Sequence, residues 1–212
     1  MVETVWTKEG LKCLDTIEEG AQYTGDPTPT GVTSFTINTN HDSTNAILEG
    51  VGTIMISGVC YAISSSAQFL LFQMSSYFPS NGFSALPIAY RTQPWLSTSA
   101  FGSQSQSSGA ILGNTSTNGA SQGFGYPIVF QMYIYAKGAV ASSGGSWPAN
   151  RYAYGVCNYN YISTSSGSEQ IKSGRMCFQL PYTAALRQIR FNYNTGNIRG
   201  KIKCWSLTNV PV

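Results

Sequence analysis

The run Leu186-Arg-Gln-Ile189-Arg-Phe191-Asn-Tyr193-Asn-Thr-Gly196-Asn-Ile198-Arg-Gly200-Lys-Ile202-Lys-Cys204-Trp205-Ser-Leu207 decides the fold class. Ile189, Phe191 and Tyr193 alternate with Arg190 and Asn192. Beyond the turn Asn194-Thr195-Gly196-Asn197, Ile198, Gly200, Ile202 and Cys204 alternate with Arg199, Lys201 and Lys203. Successive side chains of a strand point to opposite faces, so a period of two sends the apolar set into a core and the bases to the other side. Two matched runs about a Gly-containing turn predict a hairpin.

Working outward, the same period recurs. Val32-Thr-Ser-Phe35-Thr-Ile37 reads as a first strand with Phe35 and Ile37 on one face, and further strands are predicted over 51–63, 69–74, 126–136, 151–161 and 170–180. Residues 95–125 are almost wholly Ser, Gly, Gln, Asn and Thr around isolated Phe101, Ile111, Leu112 and Phe124. That is too long for an ordinary loop and predicts two short strands joined by one. The tally is about eight to ten strands with no helix longer than two turns. Strands in that number without crossover helices imply an all-β protein, an antiparallel β-sandwich of jelly-roll-like type. Gly10, Gly20 and Gly25-Asp-Pro27-Thr-Pro29 set residues 1–29 apart as a short N-terminal arm for attachment, leaving 30–212 as the sandwich domain.

Composition narrows the function. Of the 212 residues 10% are charged, well below the roughly 25% of ordinary domains, while 42% are hydrophobic and 13% aromatic, ample material for a core. Between Glu49 and Glu169 there is no Asp or Glu, which removes the carboxylates that hydrolytic, glycosidic and metal-assisted chemistries use. His41 is the single histidine, and adjacent His41 and Asp42 point apart on an extended chain, which is poor geometry for a nucleophile relay. One His and one Asp fall short of a zinc ligand set; no acidic calcium cluster, GxGxxG, Walker loop or HExxH occurs. The expectation is a protein that is not an enzyme, with no cofactor and no metal site. Five cysteines, Cys13, Cys60, Cys157, Cys177 and Cys204, are odd in number and widely spaced, and are expected as buried thiols acting as small hydrophobes.

The charges are unevenly split. Residues 1–49 hold eight acids against Lys8 and Lys12, a net of −6, and the remainder carries +9. Arg199, Lys201 and Lys203 would form a ladder with about 6–7 Å between steps, within a basic C-terminal quarter that also holds Lys172, Arg175, Arg187 and Arg190. We read the ladder as an assembly feature, blunting an exposed edge or pairing with the acidic N-terminal segment, rather than as a site for an anionic glycan or nucleic acid. Tyr152, Tyr154, Tyr159 and Tyr161 behind Trp147 fit either a sugar-stacking platform or a core or interface stripe. Trp95 after Pro94 and Trp147 before Pro148 fall in turns. With Tyr152 and Tyr154 they are the candidate surface contacts. No segment reaches the roughly 18 apolar residues of a membrane span, and the N-terminal residues lack the plan of a signal peptide. Synthesis in the cytoplasm without membrane insertion is therefore expected.

From Leu186 to Leu207 the sequence resembles the closing strands of β-sandwich domains in bacteriophage virion proteins, which carry an I-x-x-I-R-F strand, an S/T-G-N-I/F-x-x-G turn and a final I-K-L-Y-G-I strand. Trp205 stands where the family often has Tyr, and Ser206 where it usually has Gly. The 32–37 strand and Pro127-Ile-Val-Phe130 through Tyr135 look like the opening and central strands of the same domains, so the resemblance spans about residues 30–207. It implies a jelly-roll-like subunit of the virion and no catalytic residue. The role expected is tail-fibre-like or receptor-binding, as a homo-oligomer, with a trimer favoured. Other virion proteins would be partners, and a host-surface glycan the target suited to many neutral hydrogen-bonding groups. A capsid decoration protein is the alternative, and a free carbohydrate-binding lectin a third reading. Nucleic acid is not expected as a partner.

Overall fold

The computed structural model describes residues 12–19, 31–38, 40–42, 45–46, 53–63, 69–75, 82–94, 102–106, 109–112, 127–137, 152–165, 168–179, 188–194 and 196–207. Among them the alternating runs form fourteen strands: β1 (Lys12–Glu19), β2 (Phe35–Asn38), β3 (Asn40–Asp42), β4 (Asn45–Ala46), β5 (Thr53–Ile63), β6 (Leu70–Ser75), β7 (Ile88–Pro94), β8 (Gly102–Gln106), β9 (Ala110–Leu112), β10 (Ile128–Lys137), β11 (Tyr152–Ser165), β12 (Ser168–Gln179), β13 (Gln188–Tyr193) and β14 (Asn197–Leu207). The expected runs all appear, and 95–125 supplies β8 and β9.

The strands form an eight-stranded sheet, β1-β14-β5-β10-β11-β12-β7-β8, a four-stranded sheet, β2-β13-β6-β9, and the small β3-β4 pair. All recorded pairings are antiparallel. Within the larger sheet β1-β14-β5-β10, and opposite it β2-β13-β6-β9, the chain alternates between layers in the order of a jelly roll, two interlocked Greek keys. The remaining strands of the larger sheet are two insertions: β7-β8 between β6 and β9, and β11-β12 between β10 and β13. They join edge to edge through β12 and β7, and so widen one sheet by four strands beyond the jelly-roll set.

The core lies between the sheets. Ile54, Ile56, Ile128, Met132, Ile134, Met176 and Ile202 of the larger sheet meet Phe35, Leu70, Phe72, Met74, Ile189 and Phe191 of the smaller one. Ring contacts bridge the layers: Phe72 and Phe178 lie 4.9 Å apart between centroids, Phe130 and Phe191 5.0 Å. The Tyr193 hydroxyl donates to the Cys60 carbonyl at 3.0 Å, satisfying a buried polar atom across the gap. Burial pushes that phenol well above its ordinary range, with the Cys60 thiol adding to the shift.

On the inner face of the larger sheet three glycines are register partners of aromatic residues: Gly58 of Phe130, Gly155 of Phe178, and Gly174 of Tyr159. The ring of each partner occupies the space a Cβ would need; at Gly58 that Cβ would stand 2.5 Å from Phe130 ring carbons. Absent side chains thus let rings lie flat on the neighbouring strand, a device that also pins register.

Two expectations are corrected. The runs about Gly196 do not make a hairpin: β13 pairs with β2 and β6, and β14 pairs with β1 and β5 in the other sheet. The turn is a corner between layers. Gly196, at φ 79°, takes a left-handed conformation costly for other residues. Beside it Val32 bridges to Ile198 by backbone bonds of 2.9 and 2.7 Å, and the Asn194 N–H donates to the Phe69 carbonyl at 3.2 Å. Second, Lys12–Glu19, placed in the arm, is the outermost strand of the larger sheet, running along β14. The rest of 1–29 lies outside the described residues.

Candidate binding face

Because β5, β10, β11, β12, β7 and β14 send alternate residues inward, the others form a continuous outer face, and the register orders it into rows. One row runs Trp205, Met55, Tyr133, Val156, Cys177, Arg91 across six strands. The next on one side is Thr53, Tyr135, Tyr154, Gln179, Ala89, and on the other Lys203, Ser57, Gln131, Asn158, Arg175, Gln93. Neighbouring strands are about 4.8 Å apart and successive rows about 6.7 Å. The face is therefore an open, broad surface.

Its chemistry follows from the acid-free stretch. β5 to β11 come entirely from between Glu49 and Glu169, and Glu169 pairs with Thr164 at the opposite end of β12 from Cys177. Tyr154 is 51% exposed, and its ring packs 5.2 Å from that of Tyr135 at a tilt of 50°. Gln131, Asn158, Arg175, Cys177, Gln179 and Arg91 are exposed, whereas Met55, Tyr133, Val156 and Trp205 are half-buried. Gln131 Nε2 approaches Met55 Sδ at 3.6 Å, and Ser173 donates to Asn160 Oδ1 at 2.6 Å. Apolar and aromatic side chains are thus interleaved with neutral hydrogen-bonding groups. Two arginines stand at the insertion end.

Of the residues singled out from sequence, Tyr154 is on this face. The backbone of Tyr152 lies two positions back on β11, opposite Lys137. Trp95 and Trp147 lie outside the described residues. The four-tyrosine run divides. Tyr159 and Tyr161 face inward with rings 6.3 Å apart, belong to the core, and have phenols pushed up by burial. Four residues separate Tyr154 from Tyr159, so a period of two cannot keep both on one side.

Arg199, Lys201 and Lys203 do alternate on the outward side of β14, each half-buried. Their strand is not an edge. β1 flanks it with Glu18 as register partner of Lys201 and Thr16 of Lys203, so an acidic strand lies along a basic one. The Arg199 guanidinium stacks over the Tyr61 ring at 5.1 Å. On the far side of the molecule Arg190 sits 3.7 Å over the Phe83 ring and bonds Thr36 Oγ1 at 3.2 Å.

Cysteine placement corrects one expectation. Cys60, Cys157 and Cys204 are buried thiols outside any disulfide, with burial pushing Cys60 and Cys157 far above the usual range, but Cys177 is exposed. Met176 and Phe178 take the inward positions of β12, which turns Cys177 out. His41 is on β3, and no group of three or more metal-ligating side chains occurs among the described residues. Sequence reasoning missed Tyr135 and Arg91 as site residues and set Arg175 among distant bases. Only the register brings these strands together.

Neither a scan of protein-family models nor a search of curated proteins finds a match to this chain. The class defined by fold and site is an antiparallel jelly-roll sandwich with one enlarged, acid-poor outer face.

Proposed function

We propose that this protein is a non-enzymatic structural subunit of a bacteriophage virion, tail-fibre-like or receptor-binding, which adheres through the outer face of its larger sheet. The observation that carries this reading is the enlargement of that sheet: four strands beyond the jelly-roll set extend a face free of carboxylates from β5 through β11 and bearing exposed Tyr154. Jelly rolls serve viral shells and lectins alike, so topology alone does not choose a role. The resemblance of residues 186–207 to virion sandwich domains supplies the viral context.

A face of tyrosines, asparagines and glutamines suits polar, glycan-like surfaces, because aromatic rings stack on the apolar sides of sugars while amides and hydroxyls meet their hydroxyl groups. The breadth of the same face, six strands in register, favours a second reading, a decoration subunit lying against a capsid shell. Quantitative mass spectrometry of purified particles separates them: a few dozen copies per particle with adhesion of the isolated protein to host cells is the expected result. Hundreds of copies with tight capsid binding and no cell adhesion would replace it with decoration.

A further inference from the structure

We propose that the insertion end of the outer face binds an acidic saccharide, its rings stacked on Tyr135 and Tyr154 and its anionic group held between Arg91 and Arg175; this rests on the adhesive reading above.

Arg175 stands opposite Gln93, and Arg91 opposite Cys177, so the two arginines are diagonal neighbours on β12 and β7. That geometry sets their backbones about 7–8 Å apart. Both are exposed, and neither guanidinium has an ion pair or ring contact among the described residues. The contrast with Arg190 and Arg199, each stacked on a ring, is clear. Two like charges at diagonal positions repel, and no described carboxylate stands beside them on β7, β11 or β12. An anion between them relieves that repulsion and can accept charge-assisted bonds from both forks.

The aromatic half lies close by. Tyr154 is one row along and two strands across from Arg91, about 7 Å by about 10 Å, with Val156, Cys177 and Gln179 between. This is the span of a short oligosaccharide rather than one sugar. The exposed Tyr154 ring offers a stacking surface at one end, neutral amides of Asn158 and Gln179 flank the path, and the arginine pair fixes charge at the other. A single-stranded nucleic acid requires cations tracking a phosphate row along a groove. Here the positions between arginines and tyrosines, Val156, Cys177 and Gln179, are neutral and the surface open.

The test uses the full chain on an array pairing acidic oligosaccharides (uronic-acid, sialylated and phosphorylated) with uncharged counterparts, plus oligo(dT), alongside adhesion to host cells. Acidic members should be held at least about tenfold more tightly than their uncharged counterparts. R91Q/R175Q should erase that preference with an unchanged unfolding midpoint, and Y154A should weaken acidic and neutral members alike. Labelling Cys177 with a bulky maleimide should block binding. Failure of every acidic member to bind, an unchanged preference in R91Q/R175Q, or oligo(dT) bound as tightly as the acidic sugars overturns the proposal. Cell adhesion by a wild-type protein that shows no acidic preference on the array removes the acidic-saccharide site and leaves the adhesive reading standing. Array binding without cell adhesion does the reverse.

Discussion

The two faces of the eight-stranded sheet are built from alternate residues of the same strands, yet they solve different problems. On the inner face, rings of Phe130, Phe178 and Tyr159 lie on Gly58, Gly155 and Gly174 of the adjacent strands, leaving no room for another atom. On the outer face, the register partners are Tyr135 with Tyr154, Val156 with Cys177 and Asn158 with Arg175, side chains standing beside one another toward open space. One face is specified by volume and the other by chemistry. Substitutions should therefore separate cleanly into those that unfold the protein and those that leave it folded but change what it holds.

The largest effect is expected at the layer junction. Phe72 is fully buried and packs on Phe178 and Phe191 at 4.9 and 5.5 Å, so Phe72→Ala should cost about 3–5 kcal/mol in urea unfolding. A loss below about 1 kcal/mol would mean that the sheets do not meet through these rings. Next comes a neighbouring pair on one strand. Gly58→Val forces a side chain into the Phe130 ring and should cost about 1–3 kcal/mol, while Ser57→Val, one residue away on the outer face, should stay within about 0.5 kcal/mol. Equal losses at the two positions would erase the contrast between the faces.

Alkaline pH should act on the inner face alone. Cys60 and Cys157 have folded pKa values raised by burial above the ordinary 9.0, so above pH 9.0 the unfolded chain binds fewer protons than the folded one. Stability from these thiols is complete below that value and declines as pH rises past it, by about 1.4 kcal/mol per pH unit for each thiol. Replacing both with alanine should flatten the limb between pH 9.0 and 10.0, above which the buried phenols of Tyr159, Tyr161 and Tyr193 add a decline of their own. An unchanged limb would place those thiols in contact with water. The smallest effect belongs to the sheet's end, where Lys201→Glu sets like charges opposite each other in the register with Glu18 and should cost about 0.2–1 kcal/mol, less at high salt. A second change, Glu18→Lys, should restore the loss.

Much of the fold is written in local periodicity, and its pairing is not. Ile189, Phe191, Tyr193, Ile198, Ile202 and Cys204 are all buried, as alternation requires. Alternation is blind to whether two consecutive strands share a sheet or face each other across a core, because both arrangements bring the apolar sets together. The corner at Gly196 is the second kind. β7 escaped notice because Ala89, Arg91 and Gln93 interrupt Ile88 and Tyr90 in a short run ending at Pro94. The acid-free composition foretold the character of the outer face, and Tyr154 could be selected from it. Its companions could not, since Tyr135, Arg91 and Arg175 meet only through the docking of two separate insertions, a long-range pairing that leaves no mark on spacing.

The division of labour between the faces is tested most directly by the double variant Tyr135→Ala and Tyr154→Ala, measured for host-cell adhesion and urea unfolding in the same preparation. Adhesion should fall by about tenfold or more while the unfolding midpoint shifts by no more than a surface change allows, about 0.5 kcal/mol. Full adhesion in a folded double variant, or adhesion lost only together with the fold, would contradict it.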